Sequence, residues 1–337
     1  MAGHSLDTVR WGIIGCGDVA EHKSGPPLYQ TPGSRLIAVM RRNRDKAADF
    51  ARRHGAKRWY TEVEALLADP EINAVYIATP HHLHPPHAAQ AAQAGKIVLC
   101  EKPMGISSAD AQRIVEACNA HKVPLTVAYY RRFWPVTQEM KTLLEEGAIG
   151  RVVQAQVQLS DFFPGDPNRS WLTSLKESGG GVLADAGSHW VDLIRYLLGE
   201  IEQVMAYNSS ARGRLEVEDI SGVLMRTVGG ALVSFVSTWQ ANVAINDFDI
   251  VGTHGRILAN PLSAGRLQLF RPGAEPEVFE LARSGPAHRE LIETLVSNLL
   301  GGGSSPVPGE EAVAVWRIME AAYRSSREGR LVPVDRN

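Results

Sequence analysis

At 337 residues the chain is too long for one ordinary hydrophobic core, so two domains are expected. A formal charge of −2, with acidic and basic residues interspersed, leaves no basic stripe for a nucleic-acid backbone, and no apolar run approaches the roughly 18 residues that span a bilayer. Residues 1–10 lack the apolar core of a signal peptide, and Cys16, Cys100 and Cys118 form neither a CxxC pair nor an even disulfide set, so reduced cysteines and a cytoplasmic home are expected.

Between residues 9 and 128, short β-branched runs alternate with helical stretches at the spacing of βαβ units, which predicts a parallel sheet. Strands are expected at 9–14, 36–40, 74–78, 97–100 and 125–128. The run Thr61-Glu62-Val63-Glu64 reads as a capping box opening a helix, and Gly95 as the stop of a helix over 86–94.

After the first strand comes Gly15-Cys16-Gly17-Asp18-Val19-Ala20, a GxGxxA match between a strand and a helical stretch. The first glycine permits a tight turn, the second lets a pyrophosphate approach the backbone, and Ala20 keeps helix and strand close. Helix N-terminal N–H groups then face the phosphates, so Gly15, Gly17, Asp18 and Val19 are candidate dinucleotide contacts. An ordinary glycine-rich turn is the alternative for a lone match. Position and the following βα pattern favour the dinucleotide. At the end of the second strand, where an NAD enzyme places a carboxylate for the ribose hydroxyls, stands Met40-Arg41-Arg42-Asn43. Arg41 and Arg42 suit a 2′-phosphate and point to NADP, with NAD as the alternative; solvated arginines at a helix entry would also look like this.

From about residue 130 the pattern becomes α+β: a helix near 135–146, an alternating run at 152–159, a glycine-rich loop, a helix at 188–198 ended by Gly199, then sheet-like runs. Runs 220–228 and 231–239 flank Gly229-Gly230, which suits a hairpin. Helices at 289–300 and 310–328 close the chain across a Gly/Ser/Pro-rich loop at 301–309. The fold class expected is an α/β Rossmann domain over 1–128, followed by an α+β domain over 129–337 with a large, mostly antiparallel open sheet.

Three further segments stand out: Thr79-Pro80-His81-His82-Leu83-His84, Glu101-Lys102-Pro103, and Asp185-Ala186-Gly187-Ser188-His189-Trp190-Val191-Asp192 after Gly179-Gly180-Gly181. With the GxGxxA loop they resemble the glucose–fructose oxidoreductase and inositol dehydrogenase (Gfo/Idh/MocA) family across nearly the whole chain. His81 replaces the asparagine of that family's TPNxxH segment, and 128–133 looks like its domain-crossing segment. The resemblance implies an NAD(P)-dependent oxidoreductase with Lys102, Asp185 and His189 as the catalytic set and Asp192 completing the last motif. It places Thr79, Pro80, His84, Glu101 and Lys102 on the cofactor side and implies a frequently cis Lys102–Pro103 bond.

The chemistry agrees with that assignment. Oxidising a secondary alcohol needs an acceptor for the hydroxyl proton while the nicotinamide takes the hydride, and an imidazole such as His189 suits this role. Lys102 can bond the substrate oxygen, and Asp185 can orient the substrate or the imidazole. The histidines His81, His82, His84 and His87 suggest zinc, but Pro85-Pro86 interrupts the helix that would align them and no cysteine or acid is near. No metal is expected.

Aromatic and polar residues gather at 129–134 and 161–171, and Tyr130, Arg131, Asp161 and Trp171, with Asp185 and His189, are the expected contacts of a polyhydroxylated small molecule. Phe162, Phe163, Trp171 and Trp239 would equally suit interface packing. The leading function is hydride transfer between nicotinamide and a secondary alcohol or ketone of a sugar, anhydro-sugar or cyclitol. Redox-assisted glycoside cleavage and a non-catalytic dinucleotide sensor are the alternatives. Too few helices follow to cover both faces of the second sheet, so a homodimer or homotetramer is expected.

Overall fold

The computed structural model describes residues 6–163, 165–210, 213 and 215–335. Residues 1–5 of the leader reading and residue 164 of the aromatic segment 161–171 lie outside the described residues. Two compact units are present, Met1–Tyr130 with Ser284–Val313, and Arg131–Arg283 with Ala314–Asn337. A division at 128/129 gives Ser284–Val313 to the C-terminal half. The structure returns it to the first unit, a path that no single cut can express.

In the first unit, β1 (Val9–Ile14), β2 (Ser34–Met40), β3 (Arg58–Tyr60), β4 (Ala74–Ile77), β5 (Ile97–Cys100) and β6 (Leu125–Val127) form one sheet in the order β3-β2-β1-β4-β5-β6. All its pairings are parallel, and β4 is buried at every position, as expected of a strand covered on both faces. The helices between them are α1 (Gly25–Gln30), α2 (Arg44–His54), α3 (Val63–Leu67), α4 (His84–Gln93) and α5 (Ser108–Ala120). Asn43 caps α2 by accepting from Lys46 N at 3.0 Å, and Ser107 caps α5 by accepting from Asp110 N at 3.1 Å. The capping box expected at 61–64 does not form: α3 begins after Glu62 with no side-chain cap, and the Glu64 carboxylate instead accepts from Gln90 of α4 at 2.8 Å. Pro85 and Pro86 do not interrupt a helix but sit in the first turn of α4, where their missing N–H groups cost nothing.

The second unit is built on a nine-stranded sheet. Its strands are β7 (Val152–Phe162), β8 (Ile201–Ser209), β9 (Ile220–Thr227), β10 (Leu232–Thr238), β11 (Gln240–Gly252), β12 (Arg256–Ala259), β13 (Arg266–Phe270), β14 (Glu277–Glu280) and β15 (Val332–Pro333). Their order is β14-β13-β12-β11-β7-β10-β9-β8-β15, antiparallel except for the β10–β7 pair. Thr227 N donates to Ala231 O and Gly230 takes a φ of 85°, which closes the expected hairpin. Alternation puts Val223, Met225, Val233 and Phe235 inside, while Leu224, Leu232 and Val236 face outward. The helices of this unit are α6 (Pro135–Glu145), α7 (Leu175–Ser178) and α8 (Ala186–Leu198).

Two helices follow, α9 (Arg289–Leu300) and α10 (Gly309–Glu328), the unit boundary falling inside α10. In the first unit the returning segment extends the sheet edge, Val127 N donating to Val307 O at 3.0 Å and the Thr126 and Ser305 hydroxyls pairing at 2.7 Å. Helix α9 buries Leu291, Ile292, Leu295, Val296 and Leu299 as one apolar stripe.

Candidate active site

Strand order reverses between β1 and β4, and in sheets of this kind ligands lie beyond the carboxyl ends of the strands at such a reversal. The loops after β1, β4 and β5 carry the three motifs. The first hangs from β2, with Gly15 N and Cys16 N both donating to Met40 O, at 3.0 and 3.3 Å. Gly15 has a φ of +94°, and a Cβ there would lie 2.8 Å from Ala78 O, so only glycine fits. Gly17 faces open space, a Cβ there having nothing nearer than Gly15 O at 4.0 Å. That is the shape needed for close approach of a phosphate to the backbone. Asp18 is exposed and Val19 half-buried where the helical segment begins, and Ala20 is fully buried.

A π-helical turn, Ala20–Ser24, leads into α1. Pro27 has no N–H for the carbonyl four residues earlier, which frees Lys23 O; His288 N of the returning segment donates to it at 3.3 Å. At the end of β2, Arg41 Nη1 donates to Cys16 O at 3.0 Å, which lays its guanidinium along the glycine loop, while Arg42 is exposed.

After β4, the Thr79 hydroxyl meets His87 Nδ1 at 3.2 Å, and Pro80 leads into a short 3₁₀ turn, His81–Leu83. His84 is fully buried, its two ring nitrogens facing Pro103 O at 2.9 Å and Thr79 O at 2.8 Å. Burial lowers its pKa against the pull of those two carbonyls. His84 thus ties the β4 loop to the β5 loop. Among the described residues no three histidine, cysteine or acidic side chains are grouped to hold a metal ion. All three cysteines are buried with their thiols pushed up by burial, Cys16 to about 11 and Cys118 to about 12.

Glu101, expected beside the cofactor, is 7% exposed and bound inside the first unit. Its Oε1 accepts from Tyr76 Oη at 2.6 Å and from His288 Nε2 at 2.8 Å, and Oε2 accepts from Lys102 N at 3.2 Å. Burial alone would raise its pKa, but His288, Tyr76 and the nearby Lys102 charge outweigh it and hold the carboxyl at about 2. Lys102 is half-buried at the end of β5, and its bond to Pro103 is cis. Tyr130, expected as a substrate contact, packs its ring against His288, tilted by 37° with ring centroids 4.1 Å apart. Nothing in the local sequence marks His288, a lone histidine 187 positions from its carboxylate.

The second unit holds Asp185 and His189, brought together by α8. Asp185 is its N-cap residue, with Arg169 Nη2 at 3.9 Å, and His189 lies 4% exposed one turn further on. The loop before them is clamped. Gly181 N and Leu183 N donate to the Glu218 carboxylate at 2.9 and 3.0 Å, Tyr323 Oη donates to it at 2.9 Å, and a Cβ on Gly181 would fall 1.8 Å from Glu218 O. Burial raises the pKa of Glu218 against these donors. Val182 packs with Val217 and Trp239, and the Phe163 ring lies tilted against Trp239 with centroids 5.2 Å apart, so these aromatics pack against the loop.

The remaining expected residues are spread more widely. Asp192 is 1% exposed, and both its oxygens accept from Arg132, at 2.6 to 3.1 Å, which makes it an anchor for α8. The Arg131 guanidinium carbon lies 5.0 Å from both the Trp134 and the Trp190 rings. Asp161 is exposed and accepts from Phe162 N at 2.8 Å; Trp171 is half-buried in a 3₁₀ turn, Pro167–Thr173.

Comparison with known proteins adds to this geometry. Residues 9–129 match the model described as "Oxidoreductase family, NAD-binding Rossmann fold", and residues 137–258 match the GFO/IDH/MocA C-terminal domain. The chain is 38% identical over 319 residues to oxidoreductase P35 of Formosa agariphila, an alignment covering 93% of this chain and 97% of the relative. It is 31% identical over 254 residues to 1,5-anhydro-D-fructose reductase of Ensifer adhaerens, covering 74% and 75% of the two chains. The solved structure of levoglucosan dehydrogenase in complex with NADH and levoglucosan superposes with a TM-score of 0.86 at 26% identity, over 98% of this chain and 100% of that one.

Replacing Arg132 by Met leaves the Asp192 carboxylate buried without its guanidinium. We expect a loss of about 3–5 kcal/mol, the usual cost of breaking a buried pair from one side, read as a lower urea midpoint. A midpoint equal to wild type would show that Asp192 does not depend on Arg132.

Proposed function

The chain belongs to the GFO/IDH/MocA oxidoreductase family, and from that premise we propose that it oxidises a secondary alcohol of a sugar, anhydro-sugar or cyclitol, or reduces the matching ketone, with a nicotinamide dinucleotide. The observation that carries this reading is the retention of Lys102, Asp185 and His189 on a scaffold with an open Gly17 cradle. The dinucleotide, when bound, supplies the hydride acceptor or donor. Gly15, Gly17, Asp18 and Val19 would hold its phosphates, and Thr79 and Pro80 would face its nicotinamide half. Lys102 donates to the substrate oxygen and stabilises the charge that grows there as the C–H bond breaks. His189 accepts the hydroxyl proton from the oxygen as the carbon gives up hydride, so a neutral alcohol becomes a neutral ketone. Asp185 orients the substrate hydroxyl or the imidazole, with Arg169 beside it.

A polyhydroxylated substrate is supported by the relatives, whose names specify an anhydro-sugar reductase and a levoglucosan dehydrogenase. Tyr130, Arg131, Asp161 and Trp171 remain its proposed contacts. Redox-assisted glycoside cleavage, the alternative, would exchange ring hydrogens without net NAD(P)H formation. Lys102→Met and His189→Ala are each expected to cut turnover by about 10²–10⁴-fold, as loss of acid–base groups does, with dinucleotide affinity nearly unchanged. Near-normal turnover in both would remove this mechanism.

NADP(H) is the proposed cofactor. No carboxylate stands at the end of β2, and Asn43 is occupied in capping α2, which leaves the Arg41 and Arg42 guanidinia as the available groups for a 2′-phosphate. A charge-assisted bond is worth about 1.5–3 kcal/mol, or a roughly tenfold to hundredfold preference in kcat/KM. Arg41→Asp should move the ratio towards NAD. A wild type that prefers NAD would refute the assignment.

We further propose a homodimer or homotetramer formed through the outward face of the second sheet. There Met205 pairs with Leu224 and lies near the exposed Tyr207, Leu232 and Val236. Sedimentation at micromolar concentration should show a dimer or larger species, and Leu224→Glu should dissociate it. A wild-type monomer would contradict the proposal.

A further inference from the structure

We propose that Glu21, Arg53 and His54 form a tie that fixes the glycine turn against α2, and that all three are positioning residues for the dinucleotide. This rests on the reading of residues 15–20 as the turn that takes the phosphates and of the end of β2 as the place of the adenosine ribose. Every group concerned belongs to the first unit.

The turn leads straight into Glu21, whose N donates to Gly17 O at 2.9 Å. The chain then winds wider than an α-helix: Gly25 N donates to Ala20 O, five residues back, and the Ser24 hydroxyl donates to Val19 O at 3.2 Å. A Cβ on Gly25 would lie 2.0 Å from that same Ala20 oxygen, so the wide turn requires glycine. Single π turns are rare and are frequent at functional sites. This one carries a carboxylate. Both Glu21 oxygens accept from Arg53 in a fork-to-fork pair, with Nη2 2.9 Å from Oε2, and His54 Nε2 meets Oε1 at 3.0 Å.

The two partners of Glu21 are themselves braced. Arg53 Nε donates to Asp49 Oδ2 at 2.7 Å. The His54 ring stacks on the buried Phe50, with centroids 4.0 Å and planes 21° apart, and its Nδ1 lies 3.2 Å from the Tyr29 hydroxyl of α1. Because a carboxylate only accepts, Nε2 carries the hydrogen, and Nδ1 of the neutral ring accepts from Tyr29. An isolated exposed ion pair contributes little. Here the pair is bidentate, shares its carboxylate with a histidine whose side chain is 8% exposed, and belongs to a network. Arg53, and after it His54, hold the Glu21 carboxyl at about 2 against the opposing pull of burial.

Helix α2 begins at Arg44, directly after the Arg41–Asn43 end of β2, and its 11 residues carry the chain ~16 Å to His54. Arg41 Nη1 already donates to Cys16 O at 3.0 Å. The β2–α2 segment therefore grips the glycine turn twice, once before the helix begins and once where it ends. A dinucleotide has to meet the turn with its pyrophosphate and the end of β2 with its ribose, so its affinity depends on how those two places are set relative to each other. The second grip sets them before the ligand arrives, which removes an ordering cost from binding.

The test uses the full chain with Glu21→Gln, Arg53→Met, the double variant, His54→Leu and His54→Gln. Nicotinamide fluorescence gives the dissociation constants of NADH and NADPH. Iodoacetamide labelling of the buried Cys16, read by mass spectrometry against the buried Cys118, reports the turn without any ligand. Loss of a hydrogen bond to a charged group shifts an equilibrium about tenfold. Glu21→Gln and Arg53→Met should therefore each weaken the tighter-binding dinucleotide about tenfold and speed Cys16 labelling relative to Cys118 by a similar factor. The double variant should lose no more than the worse single one, because both side chains act through one contact. His54→Leu should move both readings in the same direction, and His54→Gln, whose amide can donate to the same oxygen, should restore them towards wild type.

General loosening of the fold would expose Cys118 as well as Cys16. A lower urea midpoint with unchanged dinucleotide affinity and unchanged Cys16 labelling would overturn the proposal and leave the cluster a brace between helices. Additive losses in the double variant, or a His54→Gln variant no better than His54→Leu, would overturn it too. If Glu21→Gln does not fold, Arg53→Met and the two variants at 54 decide the matter. If the wild type binds neither dinucleotide, the reading of the turn fails, while Cys16 labelling still decides whether the tie holds it.

Discussion

The burial of one carboxylate, Glu101, sets the terms for the first unit. A charge at the end of a parallel strand, 7% exposed, survives only if donors surround it. Those donors come from β4, from the chain at Lys102, and from a segment that leaves the unit at residue 130 and returns at 284. The return of Ser284–Val313 is thus tied to electrostatics as well as to the apolar stripe of α9. The Lys23 carbonyl set free by Pro27 and the edge pairing of Val127 with Val307 secure the same segment at two more points.

The two units solve different problems with one strategy, in which backbone is made rigid around each side chain proposed to take part in the reaction. On the parallel sheet, Gly15 is pressed against Ala78, and His84 staples the Thr79 and Pro103 carbonyls. On the second unit, Glu218 and Tyr323 clamp the Gly181 loop and Arg132 anchors Asp192, so Asp185 and His189 sit at the start of a helix that cannot readily shift. Buried carboxyl groups at Glu218, Asp192 and Glu101 each meet donors from distant sequence, the arrangement that favours a unique placement over a plastic one.

Much of this was legible in the sequence because it is local. The strand–glycine–helix pattern at 9–20, the helix stop at Gly199 and the hairpin at Gly229-Gly230 are written in adjacent residues, and the parallel and antiparallel sheets follow from them. Lys102, Asp185 and His189 are singled out by the family resemblance, and their roles stand as proposals. What escaped depends on long-range partners. His288 and Glu218 carry no local signal, and Asp192 reads as part of a reactive motif until Arg132 is seen to engage it. The Thr61–Glu64 capping box failed for a related reason, since Gln90, on another helix, competes successfully for the glutamate. A chain that leaves a domain and returns likewise has no signature in composition.

The central claim is that hydrogen passes between the carbinol carbon of a sugar-like substrate and a nicotinamide. The direct measurement is proton and deuterium NMR of the cofactor after incubating the enzyme and NADP with a panel of sugars, anhydro-sugars and inositols deuterated at each ring carbon. The account predicts reduced cofactor carrying deuterium at nicotinamide C4, in amounts equal to the ketone formed. Ring deuterium lost to solvent with glycoside cleavage and no accumulation of reduced cofactor, or no transfer from any member of the panel, would contradict it.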